Sequence, residues 1–189
     1  MQTGLNTGVP WLTSAAMTTR KILWHPDPHL KKKCAEIETV DDATRQLVDD
    51  MLQTMYEAPG VGLAAPQVGQ IKRLFVMDCT PKDAEETEPM ALINPRIVWK
   101  SEETNVYNEG CLSLPEMYAD ITRPAEVRVE YIDRDGKEQE RHFDGLWATC
   151  AQHEIDHLNG KLFIDHLSSL KRTMFTRKML KMKKERARD

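Results

Sequence analysis

The chain has 189 residues, 40% of them hydrophobic and 30% charged, with a formal net charge of −4 at pH 7. That length suits one domain with a real core, and the composition is that of an ordinary globular protein, not a disordered or fibrous one. No apolar run approaches the roughly 18 residues that a membrane span requires.

The first nineteen residues, MQTGLNTGVPWLTSAAMTT, contain neither Lys nor Arg and no continuous apolar core, so they do not read as a signal peptide. They read as a tag or upstream extension outside the fold, with Met17 a candidate start, and leave a single domain over 20–189. Cys34, Cys79, Cys111 and Cys150 are then expected as free thiols in a reducing cytoplasm. Asp41 or Asp42 can cap a helix running to Glu57, with Leu47, Val48, Met51, Leu52 and Met55 on its apolar face. GVGLAAPQVG (60–69) is too rich in glycine for a regular element and is expected as an ordered loop. RLFVMD (73–78) and ALINPRIVW (91–99) read as strands joined by an acidic loop. Two alternating runs around Asp133-Arg134-Asp135-Gly136 predict a β-hairpin over 125–143. A helix follows from Leu146 to Asn159, with Gly160 placed for a left-handed cap. The last predicted helix, 168–189, is amphipathic through Leu170, Met174 and Met182. Residues 171–189 hold nine Lys and Arg against two acids, a charge of +7 that leaves −11 on the rest. A basic tail on an acidic body suggests an anionic partner for the tail alone. Strands separated by helices in this irregular order predict an α+β fold, with antiparallel or mixed sheets around the helix at 146–159.

That helix carries His153-Glu154-Ile155-Asp156-His157. Residues i and i+4 stack on one helix face, so both imidazoles can reach one metal ion. The residues alone leave the third ligand open. Cys150 shares the face but lies seven residues from His157, about 10.5 Å along the axis and too far to share a tetrahedral ion. The longer zinc-peptidase motif would want a histidine at 163, where the chain has Phe163. Asp156 points off the face, and His166 lies beyond the helix cap. The strongest candidate is Cys111 in NEGCLSLPE (108–116), where Gly110 allows close backbone approach and the next N–H can face a bound group. A buried structural cysteine is the commoner use of such a residue.

The segments GVGLAAPQVG, EGCLS and QHEIDH, in this order and spacing, resemble the three signature motifs of the peptide deformylases. The similarity runs from about Arg20 through ILWHPDPHL near the start to LFIDHLSSL near the end. The resemblance implies metal ligands at Cys111, His153 and His157, a catalytic Glu154, and oxyanion donors at the Gln67 side chain and the Leu112 backbone N–H. It implies one divalent ion, ferrous iron natively, with zinc, nickel or cobalt able to take its place. It also implies the substrate, the N-formyl group on the initiator methionine of new polypeptides, released as formate. Leu146 and Cys150 share a helix face with His153 and can line a slot for that methionine, although core packing explains them equally well. Gly60, Val61 and Gly62 would let an extended substrate backbone dock alongside. Tyr118 departs from the family, many of whose bacterial members carry a basic residue there.

Two imidazoles and one thiolate leave an open coordination position, the mark of a catalytic site, not a structural one. Glu154, next to the first ligand, is placed to take a proton from water bound there. A zinc endopeptidase would share HExxH but not the use of Cys111. A metal-stabilised binding protein would close the site with a fourth protein ligand, Cys150 or His166. The basic tail is expected to meet ribosomal RNA.

Overall fold

The computed structural model describes residues 18–188, and the expectations for residues 1–17 fall outside that range. Residues 18 and 19, assigned above to the extension, accompany the fold: the Thr18 N–H donates to Asp50 Oδ1 at 3.1 Å. Helix α1 spans Asp42–Glu57 and starts where its cap predicts, the Asp41 carboxylate accepting the Thr44 N–H at 2.7 Å.

Seven strands follow the antiparallel plan: β1 (Gly62–Ala64), β2 (Leu74–Met77), β3 (Met90–Lys100), β4 (Thr104–Cys111), β5 (Leu114–Pro124), β6 (Val127–Ile132) and β7 (Glu138–Phe143). Five form one sheet in the order β1-β2-β3-β6-β7, while β4 and β5 make a separate hairpin. Helix α2 covers Gly145–Leu158 and α3 covers Ser169–Arg186. The α+β class follows from this arrangement.

The position of α2 comes from alternation in β2. Leu74 and Val76 pack with the apolar face of α1, whereas Phe75 and Met77 point the other way, into a core with Ala148, Ala151, Ile155 and Leu158 of α2. All four strand residues are buried, so β2 reads as a continuous apolar run because both its faces are covered. A third core joins Leu114, Met117, Ala119 and Ile121 of the hairpin to Phe163 and to Met179 of α3. Helix α2 touches both the sheet and β5, and ten of its fourteen residues are buried. A helix covered on most sides can hold polar side chains only if they are paired or used.

Two expectations need correction, and one hairpin was missed. The 60–69 segment is not a loop: Gly62–Ala64 pairs with β2, and Ala65–Val68 forms a 3-10 turn closed by Gly69 at φ 79°. Pairing with a buried neighbour overrides the glycine content. The β4–β5 hairpin was not apparent from the sequence, although β5 buries alternate residues from Met117 to Arg123. Gly110 and Pro115 mask that period. In α3, Leu170 and Met174 are exposed, and the inward face is instead Phe175, Met179 and Met182.

Gly160 ends α2 at φ 73°, and a Cβ there would lie 2.5 Å from the Lys31 carbonyl oxygen. Left-handed backbone costs a residue with a Cβ about 1–3 kcal/mol, before any backbone clash. Gly160→Ala is therefore expected to lower unfolding stability by about 2 kcal/mol or more in urea denaturation. A wild-type midpoint would show that the turn at Pro28–Lys31 yields without cost.

Candidate active site

Helical spacing brings His153 and His157 together with ring centroids 5.0 Å apart. The turn between β4 and β5 delivers Cys111, whose register breaks from the ladder after Gly110. Its Sγ lies 3.3 Å from His157 Nε2, and one donor atom from each of Cys111, His153 and His157 falls within 4.8 Å of the others. No further ligand joins them among the described residues. Cys150 Sγ turns to the Val61 carbonyl at 3.5 Å, and His166 Nε2 is engaged by Asp156 at 2.8 Å. Phe163 packs its ring on His153 at 6.2 Å between centroids. Neither the peptidase ligand pattern nor the closed four-ligand site is formed.

Glu109 was not anticipated. Its Oε2 meets His153 Nδ1 at 2.8 Å, which fixes the ring and leaves Nε2 for the cluster. Arg123 from β5 grips the same carboxylate twice, at 2.6 and 3.0 Å, and also reaches Asp156 at 2.8 Å. Burial pushes Glu109 up, but hydrogen bonds from His153 and Arg123 outweigh it and hold the carboxyl below its usual range. Asp156 thus points off the ligand face, as its helical position predicts, and anchors Arg123 there. Glu109 lies two residues before Cys111 in β4, a spacing that in a regular strand puts both on one face, and both line the cavity despite the register break between them. That spacing was the one available signal.

Glu154 is 4% exposed, and its Oε2 is buried without a hydrogen-bond partner. Desolvation pushes its carboxyl up to about 7, despite the opposing pull of His153. His157 is pushed well down, first by burial and then by His153, so it stays a neutral donor. Burial lowers His153 as well, but Cys111 and Glu109 more than reverse that and raise its hold on a proton. A thiol, two imidazoles and two buried carboxyl groups around one point form a place that favours positive charge. This donor set fits one divalent cation of the zinc or iron type.

A cavity of about 460 Å³ opens beside the cluster. Cys111, His153 and Glu154 face it, as do Gln67, Gly110 and Leu112. Gly60, Val61, Gly62, Leu146 and Cys150 line it too, so only His157, 1% exposed, lies behind the wall. Glycine is required at 62, where a Cβ would sit 2.5 Å from Glu154 Oε1 and 2.7 Å from Cys150 Sγ. The Gln67 amide is oriented by two bonds: Oε1 accepts the Ala64 N–H at 2.7 Å, and Nε2 donates to Ser113 Oγ at 3.1 Å. Its Nε2 consequently points at Cys111 Sγ, 3.5 Å away.

The polypeptide deformylase family model matches residues 19–173. The chain belongs to this family. It is 55% identical over 170 residues to a peptide deformylase of Rhizobium meliloti (strain 1021), spanning 90% of this chain and 97% of that one. A Rhodopseudomonas palustris (strain BisB18) peptide deformylase is 54% identical over 89% of this chain and 97% of its own length. The crystal structure of a peptide deformylase from Legionella pneumophila superposes with a TM-score of 0.83 at 46% identity, covering 91% of this chain and 99% of that one. That of Ehrlichia chaffeensis in complex with actinonin gives 0.84 at 42% identity, covering 88% and 98%. The chain is thus a deformylase-type hydrolase, which removes the N-formyl group from newly made polypeptides.

Glu109→Gln keeps the shape of the side chain but weakens its hold on both His153 and Arg123. Outer partners of metal ligands typically contribute about 10- to 100-fold in affinity. Chelator competition on the metal-loaded protein should register a loss of that size, whereas an unchanged affinity would reduce Glu109 to a strut between strands.

Proposed function

We propose that Cys111, His153 and His157 hold one divalent ion, ferrous iron in the cell, with zinc, nickel or cobalt able to replace it. When bound, such an ion supplies Lewis acidity to the formyl oxygen and the attacking water. The residues of the chain do the rest. Gln67 Nε2 and the Leu112 N–H aim at the oxygen that gains charge as the formyl carbon becomes tetrahedral. Each donor of this type contributes about 2.7–4 kcal/mol to the transition state. Glu154 takes the proton that water releases on attack, then gives it to the nitrogen as the C–N bond breaks, so formate and a free amino terminus leave. A carboxyl brought to about 7 by burial is suited to both halves of that transfer near neutral pH.

The rest of the cavity orders the substrate. Strand β1 is at the end of its sheet, so its outer edge is open for an extended peptide to pair along Gly60, Val61 and Gly62. Gly110 lets the opposite wall come close. Leu146 and Cys150 on α2 flank the space next to Glu154 and form the slot for the methionine side chain.

The observation that carries the assignment is Glu154 itself, buried, unpartnered and facing the cavity beside the cluster. Glu154→Ala is expected to cut kcat on a formyl-Met peptide by about 100-fold or more while the metal content stays stoichiometric. Metal loss in the variant, or retained turnover, would contradict a proton carrier that is not a ligand.

No helix among the described residues is long and apolar enough to cross a membrane. The formyl substrate arises on ribosomes, and we place the protein in the cytoplasm with the outer side of α3 against ribosomal RNA. Arg177, Lys178, Lys181 and Lys184 are exposed there. Deleting the tail is the wrong test, because Met179 is fully buried and would be lost with it. Lys178→Glu, Lys181→Glu and Lys184→Glu together should weaken salt-sensitive binding to ribosomes and spare turnover of short peptides. Binding that survives the three changes would assign the contact to another face.

A further inference from the structure

Three residues near the start of the domain connect α3 to the two groups aimed at the oxyanion. The Leu23 N–H donates to the Gln67 carbonyl at 2.8 Å, and the His25 N–H donates to the Ser113 carbonyl at 2.9 Å. Ser113 in turn receives Gln67 Nε2 on its hydroxyl and follows Leu112 directly. The strap Leu23-Trp24-His25 thus ties the Gln67 arm and the Leu112 arm to each other through backbone bonds.

Its other side is held by α3. His25 is 7% exposed, and its Nε2 meets Thr176 Oγ1 at 3.0 Å. Its Nδ1 is buried with no partner among the described residues, where the Thr176 hydroxyl is the one bond that sets the ring. Lys183 Nζ donates to the carbonyls of Trp24 at 3.2 Å and Pro26 at 3.4 Å. The Arg186 guanidinium lies 4.3 Å over the Trp24 ring. These α3 contacts fall on Trp24 and His25 of the strap and on Pro26 next to it, and the face carrying Phe175, Met179 and Met182 seats the helix beside it.

We propose that His25 is a positioning residue through which the docked α3 helix holds Gln67 and the Leu112 N–H at the oxyanion site. The inference rests on the oxyanion role given to those two donors. A polar ring buried with a single partner is costly unless that partner is worth keeping, and here it links the helix to the strap. The strap bonds to main chain at both arms, so a shift of the ring moves both donors as a pair. Donors for a developing charge act only at the transition state, so their displacement lowers kcat and leaves KM.

The test uses the metal-loaded full chain on a formyl-Met peptide, with Thr176→Val, Thr176→Ser and Gln67→Ala. Valine keeps the shape of threonine and removes the hydroxyl. Misplacing a reacting group by 1 Å can cost about 100-fold, and loss of one tether among several should cost less, about threefold to tenfold in kcat. We expect that loss in Thr176→Val with KM and metal content unchanged, and near wild-type kcat in Thr176→Ser. In the Gln67→Ala background Thr176→Val should cost clearly less than it does alone. An impaired Gln67→Ala protein with an unaffected Thr176→Val protein would overturn the coupling alone, as would a Thr176→Val loss undiminished in the Gln67→Ala background. Gln67→Ala with full kcat would overturn the oxyanion assignment and the coupling with it.

Discussion

The arrangement depends on a line of buried charge that runs from Asp156 through Arg123 and Glu109 to His153. It crosses three elements, since Arg123 comes from β5, Glu109 from β4 and the two ends from α2. Arg123 and Glu109 are each 6% exposed, and charges so deep are expensive to desolvate. Two bonds between guanidinium and carboxylate, with Asp156 and His153 taking the remaining capacity, make the line self-consistent. Whatever its net stability, it fixes one register of the hairpin against α2. Slipping β4 by a residue would turn Glu109 away from His153 and Cys111 away from both imidazoles.

Close approach is the second constraint, and glycine sets it. Gly62 lets β1 lie against the Glu154 carboxylate, Gly60 leaves room for Leu112, and Gly110 lets the Tyr118 ring cross the strand. At all three a Cβ would fall within 2.7 Å of a side chain, so these positions belong to the site more than to the chain's flexibility. The cavity is lined by the glycine-bearing segment at 60–62, by the β4–β5 hairpin and by α2. That lining suits an extended substrate that offers its own main chain for pairing.

Local signals were legible in the sequence, and long-range ones were not. Asp41 caps α1, Gly136 at φ 84° turns the β6–β7 hairpin and Gly160 closes α2, each because the cause lies within a few residues of the effect. His153 and His157 were readable for the same reason, since helix periodicity alone juxtaposes them. Placing Cys111 beside them needed three motifs taken together, as nothing local marks this thiol as the one that joins the histidines. Glu109 and Arg123 stand fourteen residues apart on a hairpin that Gly110 and Pro115 obscure. Their pairing exists only in the assembled fold. Segment 60–69 failed as a predicted loop because β2 supplies the pairing that its own composition argues against.

Two glutamates in this site do opposite work because their surroundings differ, not their chemistry. Glu109 accepts from Arg123 and His153, and those bonds keep it charged in spite of burial. Glu154, equally deep, has no donor on Oε2, so burial pushes its carboxyl up to about 7, with the nearby negative charge of Glu109 adding to the rise against the pull of His153. One carboxylate is thereby committed to holding a ring still, and the other is left unpaired, as the proton carrier proposed for it requires. The roles would merge if Arg123 could reach Glu154 as well, since a paired Glu154 would be pulled down and lose its use as an acid. The line of buried charge therefore shapes the site partly by whom it leaves out. Satisfying Glu109 completely, with Arg123 spent on Glu109 and Asp156, leaves Glu154 Oε2 as the one buried carboxyl oxygen without a partner among the described residues, beside the cluster where the proposed proton transfer would need it.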